Sequence, residues 1–299
     1  MNLTTVDTRV GILREEKESD FPTMGLETRM TILSDGNAIP LKNDFRISFQ
    51  RTLRVPDDGR NYPLPPSLGM FPVRAAEHAG DMVPQQWCQP NSFLIPMYQR
   101  EALWVGFGGA RWPPIAIKVA AGTVNAISGR IDTKGLHAHP QDYVVYPNQL
   151  WLDGFNSGSG SIRQFVAMPL GLGYTVEGSI SDREEHGGIQ ITVFESRVDT
   201  IPARKTAPGP VRLAAQAGSM GLGAGGQIKQ KIYPDPYGID TWKQDCPVSI
   251  FVHIVNSQQY RAITGNDPPS SPIDAEAYTS RGFPWFNLCL LYTSDAADE

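Results

Sequence analysis

Residues 45–50 read FRISFQ, and Phe45, Ile47 and Phe49 alternate there with Arg46, Ser48 and Gln50. An extended backbone sends successive side chains to opposite faces, so this alternation makes a strand with one oily and one wetted face. VPDDGR (55–60) ends it with turn chemistry. Upstream, RMTILSDGNAIPL (29–41) sets Asp35-Gly36 between two apolar runs. That pair signals a hairpin, because Asp and Gly tolerate the left-handed backbone of a tight turn. Downstream, EALWVGFGG (101–109), IAIKVAAGTVNAISG (115–129), QDYVVYP (141–147) and IRQFVAMPLG (162–171) read as further strands bounded by Gly, Pro and Asn. YTVEGSISDREEHGGIQITVFES (174–196) reads as one hairpin, with Tyr174, Val176 and Ile180 answered by Ile189, Ile191 and Val193. Strands at this spacing, with no amphipathic helices between them, predict a sandwich or barrel rather than a parallel α/β sheet.

The reading changes beyond residue 196. RVDTIPARKTAPGPVR (197–212) is polar, Pro-rich and aperiodic, as a linker would be. CPVSIFVHIV (246–255) is a strand with Val248, Ile250, Val252 and Ile254 on one face. NSQQYRAITGNDPP (256–269) then offers Asn256 or Ser257 as cap, a short helix, Gly265 as stop and Pro268 beyond. SSPIDAEAYTSRG (270–282) repeats the grammar, with Ser271 as cap, Pro272 at the first helical position and Gly282 at the end. The expected architecture is mostly β: an antiparallel β-sandwich or barrel followed by a small α+β C-terminal region. Its divisions are an N-terminal extension (1–26), a β domain (27–196), the linker (197–212) and the α+β region (213–288).

Composition narrows the function. A net charge of −5 without a Lys/Arg cluster opposes binding to a phosphate backbone, so no nucleic-acid partner is expected. MNLTTVDTRVGILREEKESD (1–20) has neither the basic start nor the apolar run of a secretory signal. No stretch approaches the ~18 consecutive apolar residues of a membrane span. Cys88, Cys246 and Cys289 show no CxxC pair and no dense spacing. The expectation is a soluble, cytoplasmic chain with no membrane partner.

Each motif has a plainer reading beside its chemical one. GLGAGG (221–226) satisfies G-x-G-x-x-G, but a dinucleotide site needs a strand before it and a full helix after it. Pro234 follows too soon for that helix, so a Gly-rich loop or strand corner is expected. LHAHPQD (136–142) is the most metal-like stretch: His137 and His139 on an extended backbone share a side, and Asp142 is near. A third ligand would have to come from His186, His253 or Glu177, and the Pro-x-Gly and second His of a cupin are missing. NSGSGSI (156–162) is not G-x-S-x-G and reads as a flexible loop. Cys88 in QWCQP lacks a placed His, and a buried free thiol is the commoner state. DGFNSG (153–158) puts Phe155 where a calcium loop needs an oxygen. Glu101, Asp142, Asp153, Glu177, Asp235 and Asp240 are scattered, and no spacing selects a glycosidase pair. Of the six tryptophans, Trp112 beside Pro113-Pro114 and Trp151 at a strand end are the best placed to stack on a ligand.

FLIPMYQREALWVGFGG (93–109), PQDYVVYPNQLWLDG (140–154), IRQFVAMPLGLGYTVEG (162–178) and KIYPDPYGIDTW (231–242) are long and unusual strings. Over residues 90 to 288 the chain resembles a family of uncharacterised bacterial and fungal proteins with no assigned activity, so the resemblance transfers no site residue. CLLYTSDAADE (289–299) resembles a translated transposase-type sequencing adapter. That resemblance implies that Cys289 is not a natural residue and that the natural chain continues past about Asn287.

The function expected from the sequence is a non-catalytic binding or structural module, weighing against an enzyme. Its partner would be a protein or glycan held at Trp112 and Trp151, with no cofactor. The alternative is a metal-dependent enzyme of cupin-like type, with a divalent metal on His137, His139 and Asp142.

Overall fold

The computed structural model describes residues 36–79, 83–158, 161–170, 175–177, 187–197 and 227–282. The FRISFQ segment is β2 (Arg46–Thr52), whose Ile47 and Phe49 are fully buried while Arg46 is exposed. It pairs antiparallel with β7 (Ala102–Gly108), with Ile47 opposite Phe107 and Phe49 opposite Val105. Around that pair the first sheet runs β1 (Ala38–Pro40), β2, β7, β13 (Ser161–Val166), β15 (Gln227–Lys229), β3 (Asn61–Tyr62). Three short strands share its edges: β4 (Ser67–Met70) on β2, β11 (Trp151–Leu152) on β7, and β12 (Gly154–Gly158) on β13.

The second sheet runs β10 (Val144–Tyr146), β8 (Ile115–Ala121), β14 (Ile189–Glu195), β16 (Val248–Val255), β6 (Ser92–Pro96), β5 (Arg74–Ala75), with β9 (Val124–Asn125) on β8. Ile191 sits opposite both Val119 and Ile250, and all three are buried. That row and the Ile47, Phe49 and Val105 row of the first sheet form the interior of a β-sandwich. Phe45 meets Tyr146 across the two sheets, with ring centroids 5.2 Å apart.

The outer face of the second sheet is also covered. Ala116 and Phe194 pack there with Leu136, Tyr143, Val145 and Trp242 in a second small core. This explains why β8 is buried on both faces and why IAIKVAA reads as a near-continuous apolar run. At the far end, Leu94 and Val255 join Ala76, Val83 and Tyr260. Tyr260 is delivered by the helix Ser257–Thr264. Asn256 caps that helix in a reciprocal box with Gln259, and Gly265 ends it in the left-handed conformation.

The structure departs from the sequence reading in four places. The sheets are mixed, because β16 pairs in parallel with β6 and β15 in parallel with β3. The expected partner arm of β14 is not extended where it is described: Thr175 is a bend and Val176 and Glu177 are helical, and β14 pairs with β8 and β16. The helix Ala275–Thr279 is capped by Asp274, whose carboxylate accepts from Ala277 N, and not by Ser271, whose carbonyl is taken by Arg51. The Ser/Gly run at 156–162 is not a plain loop, since β12 and β13 are two arms of a hairpin there. The boundary drawn at the Pro-rich segment is one of sequence, since β15 and β16 lie beyond it and pair into the same two sheets. Residues 1–35, 198–226 and 283–299, with the Gly-rich motif, His186, Trp285, Cys289 and most of the linker, lie outside the described residues. No described helix is long and apolar enough to cross a membrane.

Candidate functional site: a cavity between the sheets

On β13 the even positions turn away from the sandwich. Ile162 packs with Val55 and Ile228, and Gln164 donates to Leu53 O and accepts from Val55 N. The odd positions therefore face the other sheet. Phe165 pairs there with Leu103 on β7, and its ring meets Phe155 of β12 edge-on at 4.9 Å. Opposite them the second sheet offers Ala121, Ile189 and Ile254. Small residues at these strand ends leave the two sheets unfilled, and a cavity of about 260 Å³ results.

Its walls are mostly apolar, with Met97, Met168 and Leu170 completing the surfaces set by Leu103, Phe165 and Ile254. At one end Gly122 and Gly187 adopt positive φ, and Gly122 leaves room for Glu177 while Gly187 leaves room for Leu170. A Cβ on Gly122 would stand 2.6 Å from Glu177 Oε2, so only glycine fits. Glu177 is buried, and its Oε2 accepts from Gly187 N at 2.9 Å. On the solvent side the lining includes the exposed Asp57 and Arg163 and the half-buried Arg54. Among the described residues the lining contains no Ser, Cys, His or Lys, and Thr175 is its one hydroxyl.

The metal-like stretch lies elsewhere, in the loop between β9 and β10. His137 and His139 are both exposed. His137 Nδ1 lies 2.9 Å from Asp142 Oδ2, and its backbone N donates to Asp142 Oδ1 at 2.8 Å. Asp142 is buried and already balanced by the buried Lys118, whose Nζ sits 2.9 Å from the same Oδ2. That ammonium also donates to Thr133 O and Gly135 O. A lysine charge thus occupies the place beside Asp142 that a metal ion would need. Among the described residues no group of three His, Cys, Asp or Glu could hold a metal. His253 is committed to a stack on Trp87 at 4.4 Å, and Glu177 to the cavity.

Trp112 is half-buried. Trp151 is half-buried too, and its indole N–H donates to Asp153 Oδ2 at 3.1 Å. Asp153 is the ionisable group that sequence reasoning passed over. It is buried, Gln230 holds its backbone N, and its Oδ1 has no hydrogen-bond partner. Burial pushes its carboxyl up to about 7, against the opposing pull of the Trp151 hydrogen bond. Cys88 is exposed rather than buried, and so is Cys246. Phe155, which broke the calcium motif, is a wall of the cavity. The one sequence signal for the cavity was the facing pair of small-residue doublets, Ala121-Gly122 and Gly187-Gly188. The chain matches no family model, no curated protein and no solved structure, so its site is read from geometry alone.

Proposed function

We propose that the chain is a non-catalytic binding module that holds a small, largely apolar molecule between its two sheets. The observation that carries this is the cavity itself: about 260 Å³, walled by Leu103, Phe155, Phe165 and Ile254 in a mostly apolar lining. Such a volume sits just below the ~300–1,000 Å³ typical of sites for drug-sized ligands, which suits a smaller occupant. A protein or glycan stacked on Trp112 and Trp151 has less to support it, because Trp151 is half-buried and its N–H is engaged by Asp153.

Titration of the full chain with octanol, followed by calorimetry, tests the reading. The wild type is expected to bind. Ala121→Phe, which puts a ring where Ala121 lines the cavity, is expected to abolish binding with an unchanged far-UV spectrum. If that variant does not fold, Ile254→Ala replaces it and should shift preference toward longer alcohols. Absence of octanol binding to the wild type, or binding that neither variant alters, would falsify the proposal.

A further inference from the structure

Arg163 occupies a position that sequence pattern reserves for an apolar side chain. It shares the inward row of β13 with Phe165 and sits directly opposite Phe155 on β12, and both rings line the cavity. A charge on the inner row of a sandwich is costly unless it reaches water or a partner. Arg163 is exposed, so its stem lies along the wall while its guanidinium reaches the solvent side. Among the described residues that guanidinium has no hydrogen-bond or ion-pair partner, unlike those of Arg51, Arg46 and Arg261. Among the described residues Arg54 adds a second guanidinium to the same lining, and Asp57 an exposed carboxylate. The other carboxylate, Glu177, lies with Gly122 and Gly187 at the strand ends of the second sheet.

We infer that the ligand carries a carboxylate head, which Arg163 binds at the mouth while the apolar body lies between the sheets. This rests on the binding-module reading above. Among the described lining residues the solvent side carries the guanidiniums of Arg163 and Arg54 and the carboxylate of Asp57. Arginine suits such a head, since its planar fork matches both oxygens of a carboxylate and stays charged at any physiological pH.

Three probes of equal chain length decide the matter: octanoate, octanol and octylamine, titrated into the full chain at pH 7.5 and low salt. Octanoate is expected to bind at least about tenfold more tightly than octanol, equivalent to about 1.4 kcal/mol, and octylamine more weakly than either. Arg163→Gln should bring octanoate down to the level of octanol measured on the same variant. Arg163→Lys should restore part of the preference. Equal binding of octanoate and octanol by the wild type, or an octanoate preference that survives Arg163→Gln, overturns the assignment of the head while the apolar site stands. If none of the three probes binds, the binding-module reading falls and this inference goes with it.

Discussion

Asp153 and His253 show how two side chains can tilt the stability of the molecule in opposite directions. Burial raises Asp153 from 3.8 to about 7, so the folded chain keeps a proton that the unfolded chain has released. Its stabilising contribution is complete below pH 3.8 and is lost as pH rises toward 7, by about 1.4 kcal/mol per pH unit at most. Burial lowers His253 from 6.5 to about 4, so its contribution is complete above 6.5 and is lost as pH falls toward 4. Asp153→Asn keeps an acceptor for the Trp151 indole and removes the titration. Thermal melts between pH 5.5 and 8 are expected to decline less for Asp153→Asn than for the wild type, and an identical slope would mean that the carboxyl does not titrate there. His253→Phe should instead flatten the loss on acidification from pH 6.5 to 4.5. Neither behaviour was legible in the sequence, where Asp153 is one of many scattered carboxylates. Its environment depends on Gln230, which arrives from a distant strand.

Strands announced themselves where one face is buried and the other wet, as in β2. They were also legible in β16, where Ile250 and Val252 face the interior and Phe251 faces out. Ile250→Ala is therefore expected to cost about 2–5 kcal/mol in urea unfolding, and Phe251→Ser less than about 0.5 kcal/mol. Comparable losses from both would place β16 in a different register. Elements without that contrast were misread. β13 is legible in IRQFVAMPLG, but its partner β12 hides in a Ser/Gly run whose backbone pairing leaves no apolar signature. The sequence pattern caps the last helix at Ser271, whereas it starts three residues later, on Asp274. The Asp274 carboxylate accepts from Ala277 N there, which local sequence did not single out. The pairing of β14 was misassigned because adjacency along the chain favoured a hairpin, whereas β8 and β16 bury more of its apolar row.

The fold class was legible across the whole molecule, but the assembly of the site was not. The cavity draws its walls from β7, β8, β12, β13, β14 and β16, and no local pattern records which strands will face one another. The topology also makes the C-terminal strands integral: β16 lies between β14 and β6, and β15 between β13 and β3. A chain ended at residue 226 lacks both, and should show neither cooperative unfolding nor octanol binding. A sharp melting transition in that fragment would show that the earlier residues form an autonomous core.

The parallel pair of β6 and β16 carries a cost in time. β6 ends at Pro96 and β16 begins at Val248, so a ribosome working at about 5–20 residues per second needs on the order of ten to thirty seconds to deliver one after the other. Throughout that interval the nascent polypeptide displays an unclaimed edge on SFLIP, a tract able to attach to neighbouring chains. Production in a host depleted of trigger-type chaperones should accordingly favour inclusion bodies, even though the finished molecule conceals that edge completely.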